Sequence, residues 1–167
     1  TGGGIMITGS HNPPSYNGFK MMLGTSPFFG SDIQNMSKLA KNGDYTIGSG
    51  KITEVNIFPD YIDRLLFNAD LKKRLSIVWD CGNGSAGPAV EALCARLPGE
   101  HRILFSDVDG DFPNHHPDPT VEKNLETLIF TIQEEQADLG IAFDGDGDRI
   151  GVVDGDGKIV WGDQLLA

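Results

Sequence analysis

An α/β fold, with mixed β-sheets covered by helices, is expected from three observations. Short apolar runs rich in β-branched residues alternate with stretches of helical period. Clusters of Gly, Asn, Asp and Pro separate them. The 167 residues are 39% hydrophobic, enough to bury a core and too apolar for wholesale disorder.

Taken in order, Ile5 to Thr8 reads as a buried strand and residues 9–18 (GSHNPPSYNG) as a loop. Phe19 to Leu23 is a second short strand. Ser31 is a plausible N-cap for a helix through about Lys41, with Ile33, Met36, Leu39 and Ala40 on one stripe and Asn42-Gly43 as its stop. Residues 43–56 read as an irregular crossing stretch. Tyr61, Ile62, Leu65 and Leu66 have helical spacing. Ser76 to Asp80 is a buried strand, and a helix follows from about Pro88, a proline allowed in the first turn. Arg102 to Phe105 is a strand, Val121 to Gln136 an amphipathic helix, and Leu139 to Phe143 another strand. Ile150 to Val153 and Lys158 to Trp161 pair as a hairpin across Asp154-Gly-Asp-Gly157, an acidic turn read as a turn only. Trp79 and Trp161 are expected in the core, and His115 and His116 are expected to cap or pack.

The formal net charge of -11 argues against nucleic acid or an anionic membrane surface as partner. It leaves phosphorylated substrates open, because a bound cation and a few local basic groups hold phosphate within an acidic protein. No apolar run approaches the ~20 residues of a membrane helix. Two cysteines, Cys81 and Cys94, and no secretory signal read as reduced thiols in a cytoplasmic protein. The chain opens on Thr1-Gly-Gly-Gly without an initiator Met and stops in what reads as a first helical turn, so it is expected to be a fragment.

Two loops carry chemistry. Thr8-Gly-Ser-His-Asn-Pro-Pro14 follows a strand, which exposes and positions Ser10. Serine needs a base or a metal to act as a nucleophile. His11 adjoins it, and Lys20 across the loop suits proton handling or a phosphate. Asn12 is expected to shape the loop through its own backbone. There is no Gly-x-Ser-x-Gly elbow, so a hydrolase triad has little support.

The second loop is Asp144-Gly-Asp-Gly-Asp-Arg149. Three carboxylates at alternate positions repel one another unless a cation lies between them, and the intervening glycines let the backbone curl. Such oxygen ligands suit Mg²⁺ or Ca²⁺. Arg149 suits a neighbouring phosphate. A calcium EF-hand fails: counted from Asp144, its glycine position is Arg149 and its final acid position is Gly155. An aspartyl-phosphate enzyme and a non-enzymatic cation-binding module are the rival classes.

Together these stretches resemble the α-D-phosphohexomutases. The serine segment with Tyr16-Asn-Gly-Phe-Lys20 resembles their phosphoserine loop, and Asp144 to Arg149 their metal loop. Asp80-Cys-Gly-Asn-Gly-Ser-Ala-Gly87 resembles the opening of their second domain, and Phe112-Pro-Asn-His-His-Pro-Asp-Pro119 a loop they also carry. The bacterial phosphomannomutase/phosphoglucomutase branch is the nearest likeness, with phosphoglucosamine mutase as the alternative. The resemblance implies part of domain 1 plus domain 2 of a four-domain enzyme: residues 1–56, 57–160, and the start of domain 3 at 161–167. It implies Ser10, His11 and Lys20 as catalytic groups, Asn12, Lys20 and Arg149 as substrate contacts, and Mg²⁺ on Asp144, Asp146, Asp148 and the Ser10 phosphate. It also implies a hexose 1,6-bisphosphate intermediate, a phosphorylated hexose as substrate, and the remaining domains of the same chain as partners.

Overall fold

The computed structural model describes residues 2–69 and 71–167. They form two compact units. One holds the residues through Thr8 together with Asn17–Asn56; the other holds Gly9–Tyr16 and Ile57–Ala167.

The first unit is an antiparallel sheet of β1 (Gly3–Thr8), β2 (Gly18–Leu23) and β3 (Ser26–Phe28), followed by helix α1 (Ser31–Asn42). β3 has no counterpart among the strands expected from sequence: three residues with a central proline carry too little pattern. Ser31 is the first helical residue rather than the cap. Gly30 holds the cap position at φ 58, with no side-chain cap bond, so glycine's freedom at positive φ replaces a serine cap. Gly43 ends the helix in the left-handed region, as a C-terminal glycine does.

The second unit is a five-stranded sheet of β4 (Leu75–Asp80), β5 (Gly99–Leu104), β6 (Leu139–Phe143), β7 (Ile150–Asp154) and β8 (Ile159–Val160), in the order β5-β4-β6-β7-β8. β4 runs parallel to β5 and β6; β7 and β8 are antiparallel. The period-2 geometry of β4 divides the core. Val78 joins Leu125, Leu128 and Ile132 on one face, where helix α4 (Glu126–Glu135) packs. Ile77 and Trp79 join Val90 of helix α3 (Gly87–Cys94) on the other. Helix α2 (Phe58–Leu66) packs beside α3, and its Ile62 is buried. Leu125, Leu128 and Ile132 are fully buried, each worth about 1.5–3 kcal/mol of transfer free energy. The α/β class expected from the sequence is the class observed.

Further expectations are corrected, the first being the burial of β1, whose Ile5 and Ile7 are exposed in the described unit. The stretch expected as one helix from Val121 starts at Glu122, since Val121 is extended, and divides at Leu125 (φ -96, ψ -1) into a 3-10 turn, Glu122–Leu125, and α4. β5 begins at Gly99, three residues early, where only glycine allows the backbone to pass Leu75. Trp161 is 46% exposed rather than core. It precedes the short helix α5 (Gly162–Leu165), and its N–H donates to Gln164 Oε1 at 3.0 Å. Trp79 is buried as expected, and both cysteines are free. Among the described residues no helix is long and apolar enough to cross a membrane.

Candidate active site

The site lies beyond the carboxyl ends of β4 and β6, where adjacent parallel strands release their loops. This is the usual ligand edge of such sheets. After β6 the chain enters the acidic loop. Asp144 N–H donates to Arg149 O at 3.2 Å, Gly147 N–H to Asp144 O at 3.1 Å, and Arg149 N–H to Asp144 Oδ1 at 3.1 Å, so the loop closes on itself. One ligand oxygen from each of Asp144, Asp146 and Asp148 lies within 4.8 Å of the others.

The glycines of this loop do two different jobs. Gly147 supplies a left-handed backbone, φ 72. Gly145 supplies close approach: a Cβ there would collide with the carbonyl of Ser10. Gly84, after β4, is likewise pressed on the acidic loop, and a Cβ would stand 2.8 Å from Gly145 O. Ser85 N–H donates to that same carbonyl at 3.0 Å. Three loops therefore meet backbone against backbone.

This contact carries Ser10 to the carboxylates. Its φ of 50 puts a non-glycine residue in the left-handed region, a conformation found chiefly in turns and at functional sites. The side chain is half-buried, not freely exposed. Ser10 Oγ stands 3.3 Å from Asp144 Oδ2, 3.2 Å from Asp146 Oδ1 and 3.1 Å from His11 Nδ1. A hydroxyl has one hydrogen to donate, so Asp144 and Asp146 are alternative acceptors for it, in keeping with the long separations.

Arg149 is engaged from several sides. Nε donates to the fully buried Asp144 carboxylate at 2.9 Å, and Nη2 donates to His11 Nδ1 at 2.7 Å. A guanidinium only donates, so His11 Nδ1 holds a lone pair and its ring proton sits on Nε2. Behind the Ser10–His11 contact stands a cation, not the carboxylate of a hydrolase triad. Burial works against the Arg149 charge, but the bond to Asp144 and the charges of Asp144, Asp118 and Asp148 hold its pKa above the ordinary value.

Asp118 was not singled out by sequence. It lies 3.5 Å from Arg149 Nη1. Its carboxyl accepts from Thr120 Oγ1 at 2.7 Å and Thr120 N–H at 3.1 Å. The Thr120 hydroxyl bond, against a smaller opposing effect of burial, lowers its pKa, and Arg149 and His11 add to that. His116 was also passed over as a packing residue; its ring stands edge-on to His11 at 5.6 Å. Asn12 is exposed, and the serine turn closes through its main-chain N–H on Gly9 O at 3.0 Å, not through its amide side chain. With His11 and His116 it lines a small cavity that also includes Pro13 and Phe112. Lys20 lies on β2 of the first unit, opposite Met6.

The donor set fits a hard divalent cation. Three carboxylates converge, one of them with no solvent exposure, and all offer oxygen. Fold and site thus define an α/β protein whose acidic triad, able to hold a metal ion, faces a serine hydroxyl.

Comparison with known proteins agrees. Residues 59–157 match the family model for phosphoglucomutase/phosphomannomutase, alpha/beta/alpha domain II, and residues 1–45 match that for domain I. The chain is 46% identical over 163 residues to a phosphomannomutase/phosphoglucomutase of Pseudomonas putida, covering 98% of this chain and 35% of that protein. It is 47% identical to a phosphoglucomutase of Neisseria meningitidis serogroup B, covering 99% and 36%. A phosphoglucomutase/phosphomannomutase family protein from Burkholderia thailandensis superposes with a TM-score of 0.92 at 43% identity, covering 98% and 36%. The chain belongs to the phosphoglucomutase/phosphomannomutase family. It spans about a third of the length of these relatives.

Proposed function

We propose that the protein carrying this chain is a phosphohexomutase that interconverts hexose 1-phosphate and hexose 6-phosphate, of mannose, glucose or both. The observation that carries this reading is Ser10 Oγ lying within 3.3 Å of two carboxylates of the acidic triad. In the family such proteins are named phosphomannomutase and phosphoglucomutase. Residues 1–56 are assigned to domain 1, 57–160 to domain 2 and 161–167 to domain 3. With two free thiols the protein suits the cytoplasm. The chain alone is expected to be inactive, since the activity is assigned to the whole protein.

In the resting enzyme Ser10 carries a phosphoryl group. Asp144, Asp146, Asp148 and an oxygen of that phosphate would hold the cation, Mg²⁺ in this reading, which supplies charge neutralisation to the phosphoryl group in flight. The 6-hydroxyl of a hexose 1-phosphate attacks phosphorus. The new bond joins phosphorus to the 6-oxygen, the Ser10 Oγ–P bond breaks, and the hydroxyl proton passes to His11 or Lys20. The product is a hexose 1,6-bisphosphate. It turns over within the site, and Ser10 Oγ takes the phosphoryl group from the 1-position, the 1-oxygen recovering a proton as the 6-phosphate is released. His11 Nδ1 lies 3.1 Å from Ser10 Oγ; its one lone pair receives Arg149 Nη2, so it takes such a proton only once the guanidinium has turned to a phosphate. Arg149 steadies a phosphate by its paired donors, with Asn12 lining the approach.

Turnover of glucose 1-phosphate and mannose 1-phosphate by the full-length protein with Mg²⁺ and a trace of glucose 1,6-bisphosphate tests this. Mutase turnover lost in Ser10→Ala is expected. Metal binding without turnover of either sugar would instead mark a non-enzymatic cation module.

A further inference from the structure

A second charged cluster stands behind the serine–carboxylate site. Asp80 ends β4, is fully buried, and receives Gly82 N–H at 2.9 Å. Both its oxygens face His115 Nε2 at 3.0 Å. The other ring nitrogen, Nδ1, faces His116 O at 3.0 Å. Carboxylate and carbonyl oxygens only accept, so the ring holds both protons. Asp80 is the charged group described against this ring; Phe105 meets it edge-on at 5.5 Å. A buried ion pair is a poor route to stability, because desolvation costs several kcal/mol per ion and apolar replacements often do as well. Its position in the fold offers a better reason.

The His116 carbonyl that receives His115 Nδ1–H also receives Asp118 N–H, at 2.8 Å. One oxygen thus ties the imidazolium to the residue that faces Arg149. The same short segment holds the His116 ring against His11. From the sheet outward the groups alternate in charge: Asp80, His115, Asp118, Arg149, Asp144. Only the link from His115 to Asp118 runs through the backbone.

We propose that the Asp80–His115 pair is a positioning device for Arg149: by pinning the His116 carbonyl it sets Asp118, and Asp118 steers the guanidinium between Asp144 and a phosphate. The proposal rests on the phosphohexomutase reading for its consequence, though not for its geometry. His115 touches no reacting group and acts only through Asp118.

The test uses the full-length protein with Mg²⁺ and glucose 1-phosphate, comparing His115→Gln, Asp118→Asn and the double variant. Each single change is expected to raise KM about 10-fold, the usual scale for groups that orient a site, with a smaller change in kcat. The double variant is expected to be no worse than the poorer single, since both cut one chain of contacts. Additive losses, or a folded His115→Gln protein with unchanged KM, would overturn the proposal. Should His115→Gln not fold, an unchanged KM in Asp118→Asn overturns it equally. Two NMR readouts need no turnover. The His115 ring is expected to show both nitrogens protonated at neutral pH, and Asp118→Asn to move the Arg149 Nε–H resonance. A neutral ring or an unmoved resonance contradicts the device even if the mutase reading stands. Absence of turnover in the wild type sinks that reading and leaves the device to these resonances.

Discussion

Ser10 Oγ lies 3.3 Å from Asp144 Oδ2 across 134 residues of chain. The approach is made by backbone, not by long side chains: Gly145, next to Asp144, lies against the Ser10 carbonyl. Asp144 itself has no solvent exposure. A buried carboxylate is costly unless its charge is answered, and Arg149 Nε answers it at 2.9 Å. Arg149 thus answers the one carboxylate of the triad that is fully buried.

Gly145→Ala is expected to undock the serine loop, since the methyl group meets backbone that cannot swing aside. The cost should be about 1–3 kcal/mol, as for other overpacked sites, with loss of activity. Gly147→Ala has room but a φ of 72, so it should cost about 1–2 kcal/mol through conformation alone. Chemical denaturation of the two variants, with proteolysis of residues 9–16 as a local probe, distinguishes them: only Gly145→Ala should expose that loop.

Mg²⁺ at 100 times its Kd should stabilise the fold by about 2.7 kcal/mol. In Asp146→Asn, which removes one charge of the triad, the shift in Tm on adding Mg²⁺ should largely vanish. Differential scanning calorimetry with and without EDTA measures both. An equal shift in wild type and variant would place the ion elsewhere.

Much of this was legible in the sequence. β6 was read to the residue, because Leu139 to Phe143 is a compact apolar run bounded by polar loops. The convergence of the three aspartates followed from their alternation with glycine. The reason for Gly145 did not, because close approach to Ser10 is a tertiary fact, whereas Gly147 does what local reasoning assigned to both. Asp80, Asp118 and His116 were missed as partners for the same cause. Their neighbours come from distant loops, and no local spacing marks them. The helix expected from Val121 is split at Leu125, whose backbone (φ -96, ψ -1) separates the 3-10 turn from the α-helix within a stripe that looks continuous.

The Asp80–His115 pair gives a pH dependence with a definite sign. Burial alone would lower the His115 pKa, but the Asp80 hydrogen bond and charge and the His116 carbonyl outweigh it, and the folded pKa is raised. A raised histidine stabilises fully below its unfolded pKa of about 6.5. That contribution is lost as pH rises through the folded value. Urea unfolding between about pH 6 and pH 9 should show wild-type stability falling relative to His115→Gln. A difference that grows with pH would refute the pair's charge state.

Both thiols should resist labelling in the native protein. Burial first, then the Asp80 charge, pushes Cys81 up to about 12, and burial pushes Cys94 up to about 11. Thiolate is the reactive form. A chromogenic disulfide reagent at pH 8 should therefore react only on unfolding, and rapid native labelling would contradict the packing of this face of the sheet.

The most direct measurement is peptide mass spectrometry of the full-length protein after incubation with Mg²⁺ and glucose 1,6-bisphosphate. The account predicts one acid-stable phosphoryl group on Ser10, absent from Asp146→Asn and discharged by excess hexose 6-phosphate. An unmodified Ser10, or an acid-labile phosphate on an aspartate, would contradict it.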